Sequence, residues 1–246
     1  MEAVDKTVVI TGASKGLGRE IAVRLSQTHA NVVLVARGKD LLDRLQGEIA
    51  ERTGRPPLAI ACDVSDENDV QRMAAVVREK FERVDVLINN AGIGIHKTSE
   101  QLTNEEMRRQ FAVNVFGPFY CIKALLPLLK AGGSGYILNV GSLVSQVSFA
   151  DNSVYAATKS ALSGFSEGLR HEMKKSGIKV GLFLPGLMST TFQADREESA
   201  HKVPSFLVLD PKKAARVIEK MIGKRKKEVY LYRWMLWLMK LKRSFA

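Results

Sequence analysis

Short β-branched runs alternate along this chain with longer amphipathic stretches, and that alternation leaves few folds open. The strand-like runs are Thr7 to Thr11, Asn31 to Ala36, Leu58 to Cys62, Val84 to Ile88, Gly135 to Val140, Lys179 to Leu184 and Glu228 to Leu231. Helical patterns separate them: Gly16 to Thr28, Asp40 to Arg52, Asp66 as a cap leading to about Phe81, Thr103 to Lys130, Ser153 to Lys175, and Pro211 to Gly223. The strands are apolar without clean alternation, as in a sheet covered on both faces. Repeated βαβ units of this kind predict a mostly parallel, doubly wound α/β sheet. At 246 residues, with no linker, repeat or low-complexity segment, the whole of 1–246 reads as a single domain.

The net charge of +11 would suggest a nucleic-acid surface if it were spread over the chain. It is not: from Lys212 to Ala246 twelve Lys/Arg face two Glu, so that segment alone carries +10 and the rest is close to neutral. No nucleic-acid partner is expected. Cys62 and Cys121 lie far apart, with no C-x-x-C and no His or carboxylate run at ligand spacing. Reduced thiols in a cytoplasmic protein and no metal site are therefore expected. Met1 to Lys6 carries no basic region followed by an apolar run, so no secretory leader is expected. No run of about 20 apolar residues suggests a spanning helix.

The first strand runs straight into Gly12-Ala13-Ser14-Lys15-Gly16-Leu17-Gly18 and then a helix. Glycines there allow a tight turn and let backbone N–H groups approach a pyrophosphate at the positive end of the helix. The second strand ends at Ala36-Arg37, where a site for NAD usually carries an acid for the ribose hydroxyls. Arg37, with Lys15 in the turn, would instead pair with a 2′-phosphate, which points to NADP(H). Asp63-Val64 and Asn89-Asn90-Ala91-Gly92 close the next two strands, at the carboxyl ends where ligands bind in open α/β sheets. Asp63 could meet an adenine amino group or simply cap the following helix. Asn90, Ala91 and Gly92 are small enough for backbone to meet a ribose while the amides tie neighbouring strands.

A second constellation lies further on. Tyr155 and Lys159, four apart, share one helix face, and a lysine beside a phenol lowers its pKa. Ser142 closes the preceding strand and offers a hydroxyl. Alone, Y-x-x-x-K is a weak signal; beside a dinucleotide site it becomes acid–base chemistry.

Taken together, Thr11 to Gly18, Asp63-Val64, Asn89 to Gly92, Asn114, Ser142, Tyr155 with Lys159, and Pro185-Gly186 followed by Thr190 resemble the short-chain dehydrogenase/reductase family, in family order across residues 7 to about 231. The resemblance implies a single-domain Rossmann fold with a seven-stranded sheet. It implies Tyr155 as general acid/base, Lys159 lowering its pKa and holding the nicotinamide ribose, and Ser142 bonding the substrate carbonyl. Asn114 would hold a water that links Lys159 to solvent. Pro185, Gly186 and Thr190 would line the nicotinamide, and 191–209 would form the substrate loop. Phe149 and Met188 are candidate pocket walls or ordinary core.

The reaction expected is NADPH-dependent reduction of a small-molecule carbonyl, an apolar ketone or a 3-oxoacyl thioester. Its alternatives are oxidation of a hydroxysteroid or other secondary alcohol, and a cofactor-binding scaffold that has lost catalysis. A homodimer or homotetramer is expected. Beyond the last strand, 232–246 reads as an apolar-basic helical tail. Leu231, Trp234, Met235, Leu238 and Leu241 form a stripe widened by Leu236, Trp237 and Met239. With the cations of 224–243 it suits a membrane interface, or a helix packed on a neighbouring subunit.

Overall fold

A computed structural model describes residues 5–188 and 208–231. Its strands are β1 (Thr7–Thr11), β2 (Asn31–Ala36), β3 (Leu58–Ala61), β4 (Val86–Asn89), β5 (Tyr136–Val140), β6 (Lys179–Leu184) and β7 (Glu228–Tyr230). They form one seven-stranded sheet in the order β3-β2-β1-β4-β5-β6-β7, and every pairing is parallel. The chain winds outward from β1 to β3, then returns to lay β4 beside β1 and continues the other way. The crevice beyond the carboxyl ends of β1 and β4 is therefore the switch point, where such sheets bind ligands.

Helices α1 (Gly16–Ser26), α2 (Lys39–Thr53), α3 (Glu67–Lys80), α4 (Asn104–Phe111), α5 (Gly117–Ala131), α6 (Ser153–Glu172) and α7 (Pro211–Lys224) cover both faces. The two-residue period of β1 divides the core between those faces. Val8 and Ile10 join Ile21 and Leu25 of α1, Leu42 and Ile49 of α2, and Ile218 and Met221 of α7. Val9 joins Val70 and Val77 of α3, Leu125 and Leu129 of α5, and Leu169 of α6. Arg24 Nε, 2.6 Å from Glu219, links α1 to α7 across the first of these layers.

Helix starts follow local chemistry. Asp66 caps α3 through Asn68 N, and Thr103 with Glu106 forms a capping box on α4. Asp210 caps α7 with Pro211 in the first turn. Cys62 and Cys121 are free and buried, and burial pushes the Cys62 thiol up to about 12.

The helix expected from Thr103 to Lys130 is continuous in length but not in kind. A π-helical turn, Ala112–Phe116, separates α4 from α5, with Gly117 N bonded back to Ala112 O. Asn114 sits inside that turn. The combined stretch Asn104–Ala131 is long and apolar enough to cross a membrane, contrary to the expectation of no such run, yet more than half of its most apolar window is buried in the protein. Cys121, Ile122, Leu125, Leu128 and Leu129 are covered by β4, β5 and α3, which is the pattern of a core helix, while Met107, Phe116 and Phe119 are exposed.

Candidate active site

The glycine turn is built for close approach. Gly12 (φ +65°) and Gly16 (φ +52°) both take left-handed backbone. A Cβ on Gly18 would stand 2.1 Å from the Gly12 carbonyl oxygen and 2.6 Å from Asn90 Nδ2, so only glycine lets α1 start this close to the turn. Asn90 Nδ2 donates to Thr11 O at 2.9 Å and Gly12 O at 3.2 Å, and the N–H groups of Asn90 and Ala91 both donate to Thr11 Oγ1 at 3.0 Å. The segment after β4 thus clamps the turn after β1. Ser14 is half-buried in that turn, Lys15 is exposed, and Leu17 is in the core. No side chain caps α1 at Lys15, and no acid lies in its first turn. Its N-terminal end therefore suits an anion, and the residues fit a dinucleotide pyrophosphate.

Arg37 and Asp63 face each other at the ends of β2 and β3, with Nη1 3.9 Å from Oδ2. Burial pushes the Asp63 carboxyl up, but its bonds to Ser65 N (2.9 Å) and Ser65 Oγ (2.7 Å) and the Arg37 charge hold it below the usual range overall. Asp63 thus organises the turn into α3, while Asp66 caps the helix. Val64 packs against Gly117, where a Cβ would meet Val64 Cγ2 at 2.9 Å.

Ser142, Tyr155 and Lys159 converge at the end of β5. Lys159 Nζ, buried, donates to Val140 O at 3.0 Å and lies 5.9 Å from the centre of the Tyr155 ring. Burial lowers its pKa to about 8. Ser142 Oγ accepts from Val144 N at 3.3 Å as it caps the 3-10 turn Leu143–Ser145. Leu143 N donates to Pro185 O at 2.9 Å, which fixes the Pro185-Gly186 turn against Ser142.

Asn114 is wholly buried and fully engaged. Its Oδ1 accepts from Ile93 N at 2.8 Å, and its Nδ2 donates to Ile93 O at 2.8 Å and to Thr158 Oγ1 at 3.0 Å. Through these bonds the π turn holds the segment after β4 against α6. Gly92 sits where they meet: a Cβ there would be 3.2 Å from Asn114 Oδ1 and 3.5 Å from Lys159 Nζ.

Other expected positions fall elsewhere. Phe149 is exposed on the loop before α6, and Met188 packs on the core while pairing with Leu209 in a short bridge. Thr190, nearly all of the 191–209 loop and the 232–246 tail lie outside the described residues. Sequence reading missed His96, whose ring meets Tyr155 at 5.7 Å, and Gln110, whose Oε1 accepts from Ile95 N at 3.0 Å. A lone histidine in a Gly/Ile segment gave no signal.

The family model for short chain dehydrogenase matches residues 6–201. The ketoacyl reductase HetN of Nostoc sp. is 33% identical, over 91% of this chain and 77% of that protein. An alcohol dehydrogenase from the archaeon Thermococcus sibiricus, complexed with 5-hydroxy-NADP, superposes with a TM-score of 0.84 at 29% identity, covering 92% of this chain and 95% of that one. The 3-ketoacyl-(acyl-carrier-protein) reductase from Brucella melitensis, complexed with NADH, gives 0.83 at 30% identity, covering 93% and 95%. A glycine turn clamped by the β4 segment, with serine, tyrosine and lysine gathered at the end of β5, and a family match over most of the length lead to one assignment: the chain belongs to the short-chain dehydrogenase family, oxidoreductases of CH–OH and C=O groups.

Proposed function

We propose that this protein reduces the carbonyl of an apolar ketone or a 3-oxoacyl thioester with NADPH, and that Tyr155 delivers the proton. The carrying observation is the buried Lys159, anchored to Val140 O and set over the Tyr155 ring. When bound, the nicotinamide supplies a hydride to the carbonyl carbon. Charge then develops on the carbonyl oxygen, and the Tyr155 hydroxyl gives its proton there. The Lys159 ammonium favours the phenolate that remains, so it makes Tyr155 a readier donor. Ser142 Oγ already accepts a backbone N–H, which leaves its own O–H to donate to the substrate oxygen. Asn114 keeps the segment that carries Gly92 in place beside Lys159.

Arg37 is exposed, and a loose surface pair with Asp63 holds it only weakly, so it is available to a 2′-phosphate. The names of HetN and the Brucella melitensis enzyme support an acyl thioester as substrate, and the complex of the Thermococcus sibiricus enzyme supports NADP. That last protein is an alcohol dehydrogenase, which favours oxidation of a secondary alcohol as the second reading. The same groups would then run in reverse, with Tyr155 accepting the proton.

The test is Tyr155→Phe, assayed by NADPH oxidation over a panel of ketones and acetoacetyl thioesters, with NADPH binding followed by fluorescence. Turnover should fall by about 10²–10⁴-fold while NADPH affinity holds. Turnover that survives the substitution would refute the assignment of the proton donor, and a wild-type protein that binds NADPH but turns over nothing would be a scaffold.

A further inference from the structure

We infer that His96 is a positioning residue for the proposed proton donor and that its imidazole adds a second ionisation to the pH dependence of turnover. The inference rests on the reading of Tyr155 as that donor.

His96 lies in the segment after β4, half-buried at the edge of the site. Its ring meets the Tyr155 ring nearly edge-on, with centroids 5.7 Å apart and planes at 67°. Its Nδ1 is 2.6 Å from Asn152 Oδ1. Asn152 Nδ2 donates to Ala150 O at 3.2 Å, so the amide oxygen is the atom turned to His96. A carbonyl oxygen only accepts, hence Nδ1 carries the proton and Nε2 is the basic atom of the neutral ring.

Asn152 stands at the N-cap of α6 but makes no capping bond to that helix. Asparagine is among the best N-caps, and giving up that role costs about 1 kcal/mol. Here its oxygen holds the imidazole instead. The segment beneath is fixed from α4 and the π turn, by Gln110 to Ile95 N and by Asn114 to both backbone groups of Ile93. The ring is therefore held from three elements against the phenol.

Among the described residues, ionisable groups neighbour it on α6 and α4. Tyr155 and Lys159 face the site from α6, and Asp151 precedes Asn152 on an exposed turn. Lys97, the next residue, is paired with Glu106 of α4 at 2.6 Å. An imidazolium at this separation from Tyr155 favours the phenolate, so protonation of His96 makes the phenol a stronger acid. Neutral His96 withdraws that help.

Profiles of kcat/KM against pH for the wild type, His96→Phe and Asn152→Asp test this. The wild type should show a step of roughly ten-fold that belongs to His96, with the faster limb on its acid side. His96→Phe keeps a ring against Tyr155 but should lose the step, while NADPH affinity and any inflection at higher pH remain. Asn152→Asp is close in shape and places a carboxylate on Nδ1, so the step should move up by about 1 unit or more. A step that persists in His96→Phe, or that does not move in Asn152→Asp, overturns the inference. Should Tyr155→Phe lose turnover while His96→Phe follows the wild-type profile, only His96 is misassigned. Should Tyr155→Phe keep its turnover, the donor assignment fails and this inference falls with it.

Discussion

Lys159 Nζ donates to the carbonyl oxygen of Val140 at 3.0 Å, joining a residue inside α6 to the last residue of β5. Ser160 Oγ, one residue on, donates to Ser145 O at 3.0 Å, so α6 is stapled twice to the strand end that carries Ser142. The spacing of serine, tyrosine and lysine thus depends on β5–α6 packing more than on any loop.

That burial has a measurable pH signature. Burial holds the folded pKa of Lys159 at about 8, below the ordinary lysine value of 10.5. Below pH 8 the lysine is charged in both states and the folded state carries the full desolvation cost. Between about 8 and 10.5 the unfolded chain keeps a proton that the folded chain has lost, so stability rises with pH. Relative to Lys159→Met, the wild type should gain roughly 3 kcal/mol across that window, at 1.36 kcal/mol per pKa unit. Urea denaturation of both proteins at pH 7 and near 10.5 measures the difference, and parallel pH dependences would refute it.

Gly18→Ala should be severe. The new Cβ would meet the Gly12 carbonyl oxygen at 2.1 Å and Asn90 Nδ2 at 2.6 Å, and the Gly12 backbone, to which Asn90 is itself bonded, has little room to yield. Overpacking costs about 1–3 kcal/mol in ordinary cores, and this contact belongs at or above the upper end. NADPH binding should weaken with it, because the turn must open. Thermal melting with a fluorescence titration reads both effects.

Arg37→Ala should weaken NADPH binding roughly ten- to hundred-fold, the effect of losing one charge-assisted bond. NADH, which lacks the 2′-phosphate, should bind as before. An equal loss for both cofactors, in parallel titrations, would remove Arg37 from the selectivity argument.

Asn114→Ala should cost about 2–4 kcal/mol. It leaves Ile93 N and Ile93 O without these partners in a part-buried site and removes the buried bond to Thr158. Loosening this segment should also lower kcat, since Gly92 packs beside Lys159. Chemical denaturation and steady-state kinetics on the same samples test both parts.

Much of this was legible because its causes are local. Gly54, Asp66 and Pro211 punctuate helices by backbone chemistry that any reader of the chain can apply. The β-branched runs marked every strand to within two residues at either end. Val84 and Asp85 were the chief excess at a strand start: Val84 N bonds Leu128 O of α5, whereas Asp85 already bonds Thr7 of β1 and Tyr136 of β5. The π turn at Ala112–Phe116 was invisible, since its shifted hydrogen bonds have no propensity signature and Val113-Asn114-Val115 reads as ordinary helix.

By itself the sequence determined the order of elements, the glycine turn under the first helix and the chemical identity of the site residues. Each of these follows from side-chain type and short-range spacing. Tertiary structure alone decided that Asn114 spends its amide on Ile93 and Thr158, that Lys159 is buried against Val140, and that His96 stands beside Tyr155. Those relationships join residues from 19 to 59 positions apart in the chain, and only the packing of α4, α6 and the strand ends brings them within bonding distance.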